Sequence, residues 1–334
     1  MSTRRLHVAA MLLALVTLLA GAAQAQEGSW TAPRTPFGHP DLQGVWANNN
    51  ATPLQRPEAL ADREFLTDEE LVTLRSRAED LFSLESGDAA FGDSVFTAAL
   101  NEAESFTSRD RATGNYNQFW LVERDWDNRT SLIVDPPNGR LPARTEAARM
   151  RAEAAGRKRQ RHAVWTDDRS LGERCLSFGA PRLGAGYNSY YQLLQTPDHV
   201  VILVEMGYDA RIIPLDGRPH VDDDVRQWLG DSRGYWDGDS LVVETRNYSP
   251  LANFMGAAEH LQITERFTRV SEDVLRYEVT ADDPTTWKRP WTAMIPLRRS
   301  PDALYEYACH EGNIGMEGIL AGARHKEAEE AARR

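Results

Sequence analysis

Downstream of Asn188 the chain runs through eight short segments in succession: "SYYQLLQT", "HVVILVEM", "ARIIPLD", "SLVVETRNY", "LQITERFTRV", "VLRYEVTA", "WTAMIPLRR" and "LYEYACH". Turn signals separate them, among them "TPDH", "LDGRP", "WDGD", "VSED", "ADDP" and "RRSPD". Short runs of β-branched and aromatic residues bounded by Gly, Pro, Asn and Asp read as strands. Strands at this spacing predict an antiparallel meander, a barrel or a sandwich. A meander of this length most simply closes on itself, which removes its edges. The expectation is a mainly β fold, an antiparallel barrel with helical insertions before it.

Those insertions precede the meander. Residues 58–86 read as helical: Thr67 with Glu70 three positions on is a capping box, and Leu71, Leu74, Ala78 and Leu81 follow at helical spacing. Residues 142–162 form a second helical excursion, rich in Ala, Arg and Glu, whose basic run "RKRQRH" reads as a solvated face. "GNYNQFWLVER" and "RTSLIVDPPNGRLP" look like two further strands, the second closed by "PPNG" turn chemistry. No internal repeat or linker divides the chain, so residues 26–323 read as one unit and 324–334 as a charged, disordered or frayed tail.

The first 25 residues have the pattern of a secretory signal peptide, with Arg4 and Arg5 ahead of an apolar "VAAMLLALVTLLAGA" and the small-residue end "AQA". That apolar run is too short for a membrane span, and no later stretch is apolar enough to make one. The expected location is the periplasm or outside the cell. The formal charge is −12 and becomes more negative once the two signal arginines are lost. An acidic chain does not hold a polyanion by bulk attraction, so nucleic acid is excluded as a partner.

Two cysteines, Cys175 and Cys309, lie in an exported chain, and an even count there reads as a disulfide. The rival is a metal held by Cys309, His310 and a distant His199 or His220. It is disfavoured because neighbours on a strand point to opposite sides, so Cys309 and His310 do not easily face one ion. No metal is expected. Gly-rich phosphate loops, Cys-x-x-Cys, His-Glu-x-x-His and Gly-x-Ser-x-Gly are all missing from the sequence, so no organic cofactor is expected either.

What remains is charge inside strand-like segments. Glu205, Asp209 and Arg211 stand at alternating positions of "VEMGYDARIIPLDGRPH", which would put them on one face. They line a site if that face looks into the barrel, and otherwise they are solvated. Glu244 with Arg246, and Arg276 with Glu278, carry the same ambiguity. His220, after the turn "LDGRP", could titrate near neutrality and serve as acid or base. "WLGDSRGYWDGDS" packs Asp231, Arg233 and Asp237 among Trp228, Tyr235 and Trp236 and reads as a loop at a barrel mouth. His310 and Glu311 follow the last strand. In "TWKRPWT", Trp287, Arg289 and Trp291 would share one face, as a cation–π ladder, a platform for a flat ligand, or core with a snorkelling arginine.

Two resemblances add to this. "GVW" at 44–46 resembles the Gly-x-Trp on the first strand of lipocalin-like barrels. "TSLIVDPPNGRLP", "ERCLSFGAPR", "IIPLDGRPH", "GYWDGDSLVVETRNY", "RPWT" and "YEYACHEGN" together resemble a large group of secreted bacterial proteins, over about residues 40–323. The resemblance implies a lipocalin-like barrel and export. It carries over no activity and no catalytic residue.

The functional expectation is an exported enzyme, without organic cofactor, acting on a small apolar or aromatic molecule by acid–base chemistry: hydration or dehydration, isomerisation or hydrolysis. His220, Asp209, Glu205 and His310 would move protons, and Arg211 and Arg233 would stabilise developing negative charge. Tyr235, Trp236, Trp287, Arg289 and Trp291 would line the ligand site. The alternative is a lipocalin-like binding protein that holds a similar molecule unchanged. The direction of the strand charges separates the two. A buried charged cluster beside a pocket favours catalysis, and an apolar pocket with outward charges favours a carrier.

Overall fold

A computed structural model describes residues 30–82, 88–107, 117–159, 163 and 165–333. The segment read as a signal peptide lies outside the described residues.

One antiparallel sheet of ten strands organises the chain. In chain order the strands are β1 (Gly44–Ala47), β2 (Ile133–Asp135), β3 (Tyr190–Gln195), β4 (His199–Val204), β5 (Ala210–Pro214), β6 (Asp231–Asp237), β7 (Ser240–Arg246), β8 (Gln262–Arg269), β9 (Val274–Asp282) and β10 (Trp291–Ser300). Among the described residues four α-helices accompany them: α1 (Asp68–Leu81), α2 (Ser94–Leu100), α3 (Glu146–Arg159) and α4 (Ile314–Ala332). The strand order is β5-β4-β3-β1-β10-β9-β8-β7-β6, with β2 pairing β10.

The sheet is two meanders joined by a strand from far upstream. β1 pairs β3 on one side, with Trp46 opposite Tyr191, and β10 on the other, with Trp46 opposite Arg299. The expected closure is therefore not what the structure shows, because β5 and β6 end the sheet and no hydrogen-bonded ladder joins them. Side chains occupy the place of that ladder. A Cβ on Gly234 of β6 would lie 2.7 Å from Leu215 Cδ2 and 2.9 Å from Ile213 Cγ2. β5 also ends on Pro214, which has no N–H to donate.

Alternation sets the core. On β9, Leu275, Tyr277, Val279 and Ala281 point inward and Arg276 and Glu278 outward; on β10, Trp291, Ala293, Ile295 and Leu297 point inward. The inward residues form one apolar cluster with Trp46, Leu193, Ile202, Ile213 and Val243. Trp46 is fully buried, donates its indole N–H to Leu42 O at 2.9 Å, and lies 5.7 Å from the guanidiniums of both Arg269 and Arg299. A smaller cluster around Leu74, Val95 and Phe96 holds α1 against α2.

α1 starts where its capping box places it: Thr67 Oγ1 accepts from Glu70 N at 3.3 Å, and Glu70 Oε2 accepts from Thr67 N at 2.8 Å. Loss of that cap in Thr67→Ala is expected to cost about 1 kcal/mol in urea unfolding. An unchanged midpoint would mean that the cap adds nothing.

Four sequence expectations differ from the structure. "GNYNQFWLVER" is not a strand; its described part holds one short 3₁₀ turn at Gln118–Trp120. "LYEYACH" lies outside the sheet, with Tyr305 exposed. The segment read as a mouth loop, "DSRGYWD", is β6. Residues 324–332, expected as a loose tail, continue α4, in which Ala323 is the buried residue.

Cys175 and Cys309 form a disulfide, with Cα atoms 5.6 Å apart. It ties the segment before β3 to the segment after β10, and those are the two strands that flank β1.

A candidate acid–base site in the open seam

Where β5 and β6 part, they enclose a cleft of ≈ 510 Å³. One wall is Asp209, Arg211 and Ile212, the other Asp231 and Arg233, and the floor is the 226–230 loop with Trp228.

Asp231 organises the second wall. Its Oδ2 lies 2.7 Å from His220 Nδ1 and accepts from Val221 N at 3.2 Å, so one oxygen fixes both the imidazole and its backbone. Its Oδ1 takes Arg233 Nη1 at 2.7 Å. Asn247, in a left-handed conformation (φ 61°), clips the same loop by donating to Val221 O and Asp222 O, each at 3.0 Å. Arg233 Nε donates to Pro219 O at 3.0 Å. Asp231 is buried and His220 nearly so. His220 Nε2, Arg233 Nη2, and the Nε and Nη2 of Arg226 make no hydrogen bond to the described residues, whereas Arg226 Nη1 donates to Glu259 O at 2.9 Å. The arrangement is an imidazole held by a buried carboxylate that also holds an arginine; Arg226, Asp231 and Arg233 line the cleft, and His220 stands behind them, outside its lining.

Asp209 faces them from the other wall. Its Oδ2 accepts from Ser177 Oγ and Phe178 N, both at 3.1 Å. Burial pushes its carboxyl above the usual range, partly opposed by those two bonds and by Arg182. The turn that delivers it, Glu205–Tyr208, needs Gly207: φ there is +80°, and a Cβ would stand 2.6 Å from the Phe178 ring. That turn also breaks the expected alternation of Glu205, Asp209 and Arg211, because β4 has already ended at Val204.

Arg211 lines the cleft but points its guanidinium inward. It forms a paired contact with Glu265 of β8, with Nη2 2.8 Å from Oε1. Tyr277 of β9 donates to the same Oε1 at 2.5 Å. Burial works against the Arg211 charge, but Glu265 more than offsets it and holds the guanidinium above its ordinary value. Burial, and then the Glu265 charge, push the Tyr277 phenol well up. Of the strand charges left ambiguous by the sequence, Arg211 is thus inward, and its partner Glu265 was not singled out from the sequence. The signal was present: in "LQITERFTRV", Glu265 shares parity with Ile263 and Phe267, the inward side.

The other expected site residues lie elsewhere. Glu205 does not line the cleft; burial raises its carboxyl, opposed by Tyr305 N–H and Asn188, and its Oε2 is buried without a partner. His310 is exposed beside Cys309. Tyr235 stands in solvent and reaches Glu244 Oε1 at 3.3 Å. Trp236 is stacked on His39, with ring centroids 4.7 Å apart. The expected Trp287–Arg289–Trp291 ladder is not formed. Both tryptophans are core, edge to face at 5.6 Å, while Arg289 turns outward to Asp135 at 2.8 Å. Strand β10 begins only at Trp291, so no period-two rule applies across the turn before it. Glu244, Arg246, Arg276 and Glu278 all stand on the outer face.

Among the described residues no group of three or more His, Cys, Asp and Glu is placed to hold a metal ion, and no helix is long and apolar enough to cross a membrane. Comparison with protein-family models, with curated proteins and with solved structures finds no match to this chain.

Proposed function

We propose that the protein is an enzyme that uses the seam cleft for acid–base chemistry on a small molecule, with its own side chains supplying the chemistry. The observation that carries this reading is the buried Asp231 on the wall of the cleft, which holds His220 Nδ1 on one oxygen and Arg233 on the other. Of the reactions open to such a pair, hydrolysis asks least of the site. His220 Nε2 takes a proton from water as the water oxygen bonds to the carbonyl carbon. Arg233 and Arg226 steady the oxyanion. The same proton then passes to the leaving oxygen as its bond to carbon breaks. Asp231 is a positioning residue that sets the imidazole tautomer. Asp209 is a second carboxyl group on the facing wall. We also propose export, as the disulfide supports, and kinship with secreted lipocalin-like proteins, with a barrel left open at β5–β6 so that the seam is the site.

Saturable release of 4-nitrophenol from 4-nitrophenyl acetate is the expected activity. His220→Ala is expected to lower kcat/KM by about 10²–10³-fold. Equal rates in the two proteins would remove His220 from the mechanism. A binding role without chemistry is the second reading, and one observation favours it: a separate cavity of ≈ 360 Å³ with Leu54, Leu132, Leu183 and Phe254 in its wall.

A further inference from the structure

That apolar cavity and the seam cleft lie on either side of one stretch of chain, residues 176–185. Leu176 and Ser177 line the cleft, and Phe178, Pro181 and Leu183 line the cavity. A third, small space of ≈ 30 Å³, the neck, shares lining residues with both. Trp228 lines both cleft and neck; Phe178, Pro181, Asn253 and Phe254 line both neck and cavity. Shared walls therefore set the three spaces next to one another in that order.

The partition is built rather than loose. Phe178 N is bonded to Asp209, its ring packs edge to face on Tyr307 at 5.5 Å, and the Arg182 guanidinium lies 5.8 Å from the ring centre. Gly207 leaves the room the ring occupies.

We infer, resting on the hydrolytic reading above, that the substrate is an elongated amphiphile, an ester of a linear acyl chain. Its ester lies in the seam cleft and its chain runs through the neck into the apolar cavity. Among the described residues the one acid in that cavity wall is Asp93, which accepts from Leu54 N at 3.1 Å. Burial raises its carboxyl, opposed by the Leu54 N–H and by Arg124.

The test compares kcat/KM for 4-nitrophenyl acetate, hexanoate and decanoate, and calorimetric binding of dodecanoate, in the wild type and in Ala185→Trp. Ala185 lines the apolar cavity, and the new indole would fill it. In the wild type kcat/KM should rise by up to about fourfold per methylene as the chain is buried. Ala185→Trp should lower the decanoate-to-acetate ratio at least tenfold and weaken dodecanoate binding to match. A second variant, Leu183→Ala, widens the cavity and should move the preference to longer chains. A flat chain-length profile, or a rising one that neither variant alters, overturns the inference while His220-dependent hydrolysis of acetate still stands. Dodecanoate binding that Ala185→Trp weakens, with no ester turned over, supports the channel and removes the hydrolytic reading. Neither turnover nor binding overturns both.

Discussion

Glu265→Ala is expected to destabilise the protein by about 3–5 kcal/mol, because it leaves the Arg211 guanidinium buried without its counter-charge. Both side chains are almost fully inaccessible, at 6% and 0% exposure, so water cannot take the place of the missing carboxylate. Arg211 Nε already has no partner, which leaves the group nothing to fall back on. Tyr277→Phe removes one bond to a charged acceptor and should cost less, about 1.5–3 kcal/mol. The informative control is the double change Arg211→Met with Glu265→Leu. Replacing a buried ion pair by apolar groups of similar volume is often neutral or stabilising, so the double variant should recover most of what the single one loses. Urea unfolding of the four proteins measures all of this. A loss below about 1 kcal/mol in Glu265→Ala would mean that water reaches the pair, and that the interior next to the seam is wet.

Loss of the Cys175–Cys309 bridge has an expected effect of the same order. The bridge spans 134 residues, and chain entropy for a loop of that length sets a ceiling of roughly 5 kcal/mol, with 2–4 kcal/mol typical. Cys175→Ser combined with Cys309→Ser should lower stability by that amount, and reductant should do the same to the wild type. The bridge joins the approach to β3 with the exit from β10, so the unfolded chain it restrains includes every strand of both meanders. The oxidised chain should be lighter than the reduced one by two hydrogens. An unchanged unfolding midpoint in reductant would show that native contacts alone hold these ends.

The two effects act on different states. The bridge restrains the unfolded ensemble, whereas the ion pair acts within the native core. They share no side chain, so a combined variant should show nearly additive losses.

Much of the meander was readable from the sequence because strand alternation is local. "VLRYEVTA" and "WTAMIPLRR" carry their inward and outward residues at period two, and the structure follows it through Ala281 in the first and Leu297 in the second. The capping box at Thr67 and the cysteine pairing were also legible, the first from four consecutive residues and the second from an even count. Signals failed where the backbone left regular geometry. Glu205, Asp209 and Arg211 seemed to alternate because nothing in their spacing announced the left-handed turn at Gly207 and Tyr208. Arg289 was set with the tryptophans because alternation was extended upstream of Trp291, where β10 begins. β6 was hidden by glycine and aspartate, residues rare in strands; Gly234 is there because Ile213 and Leu215 leave no space for a Cβ.

The candidate site divides in the same way. Asp231, Arg233 and His220 were visible as residue types close in sequence, and their hydrogen bonds span eleven residues or fewer. Arg211 and Glu265 stand 54 apart, and their pairing depends on how the two meanders curve toward each other.

By itself the sequence determined the mainly β character, the antiparallel meanders, the helix beginning at Thr67 and the two half-cystines. All of these follow from periodicity, capping chemistry or residue count within short windows. Tertiary structure alone decided that β1 enters between β3 and β10, that β5 and β6 do not pair, and that a cleft opens where they part. Strand order and edge pairing depend on side-chain volumes meeting across hundreds of residues, and no local pattern records those.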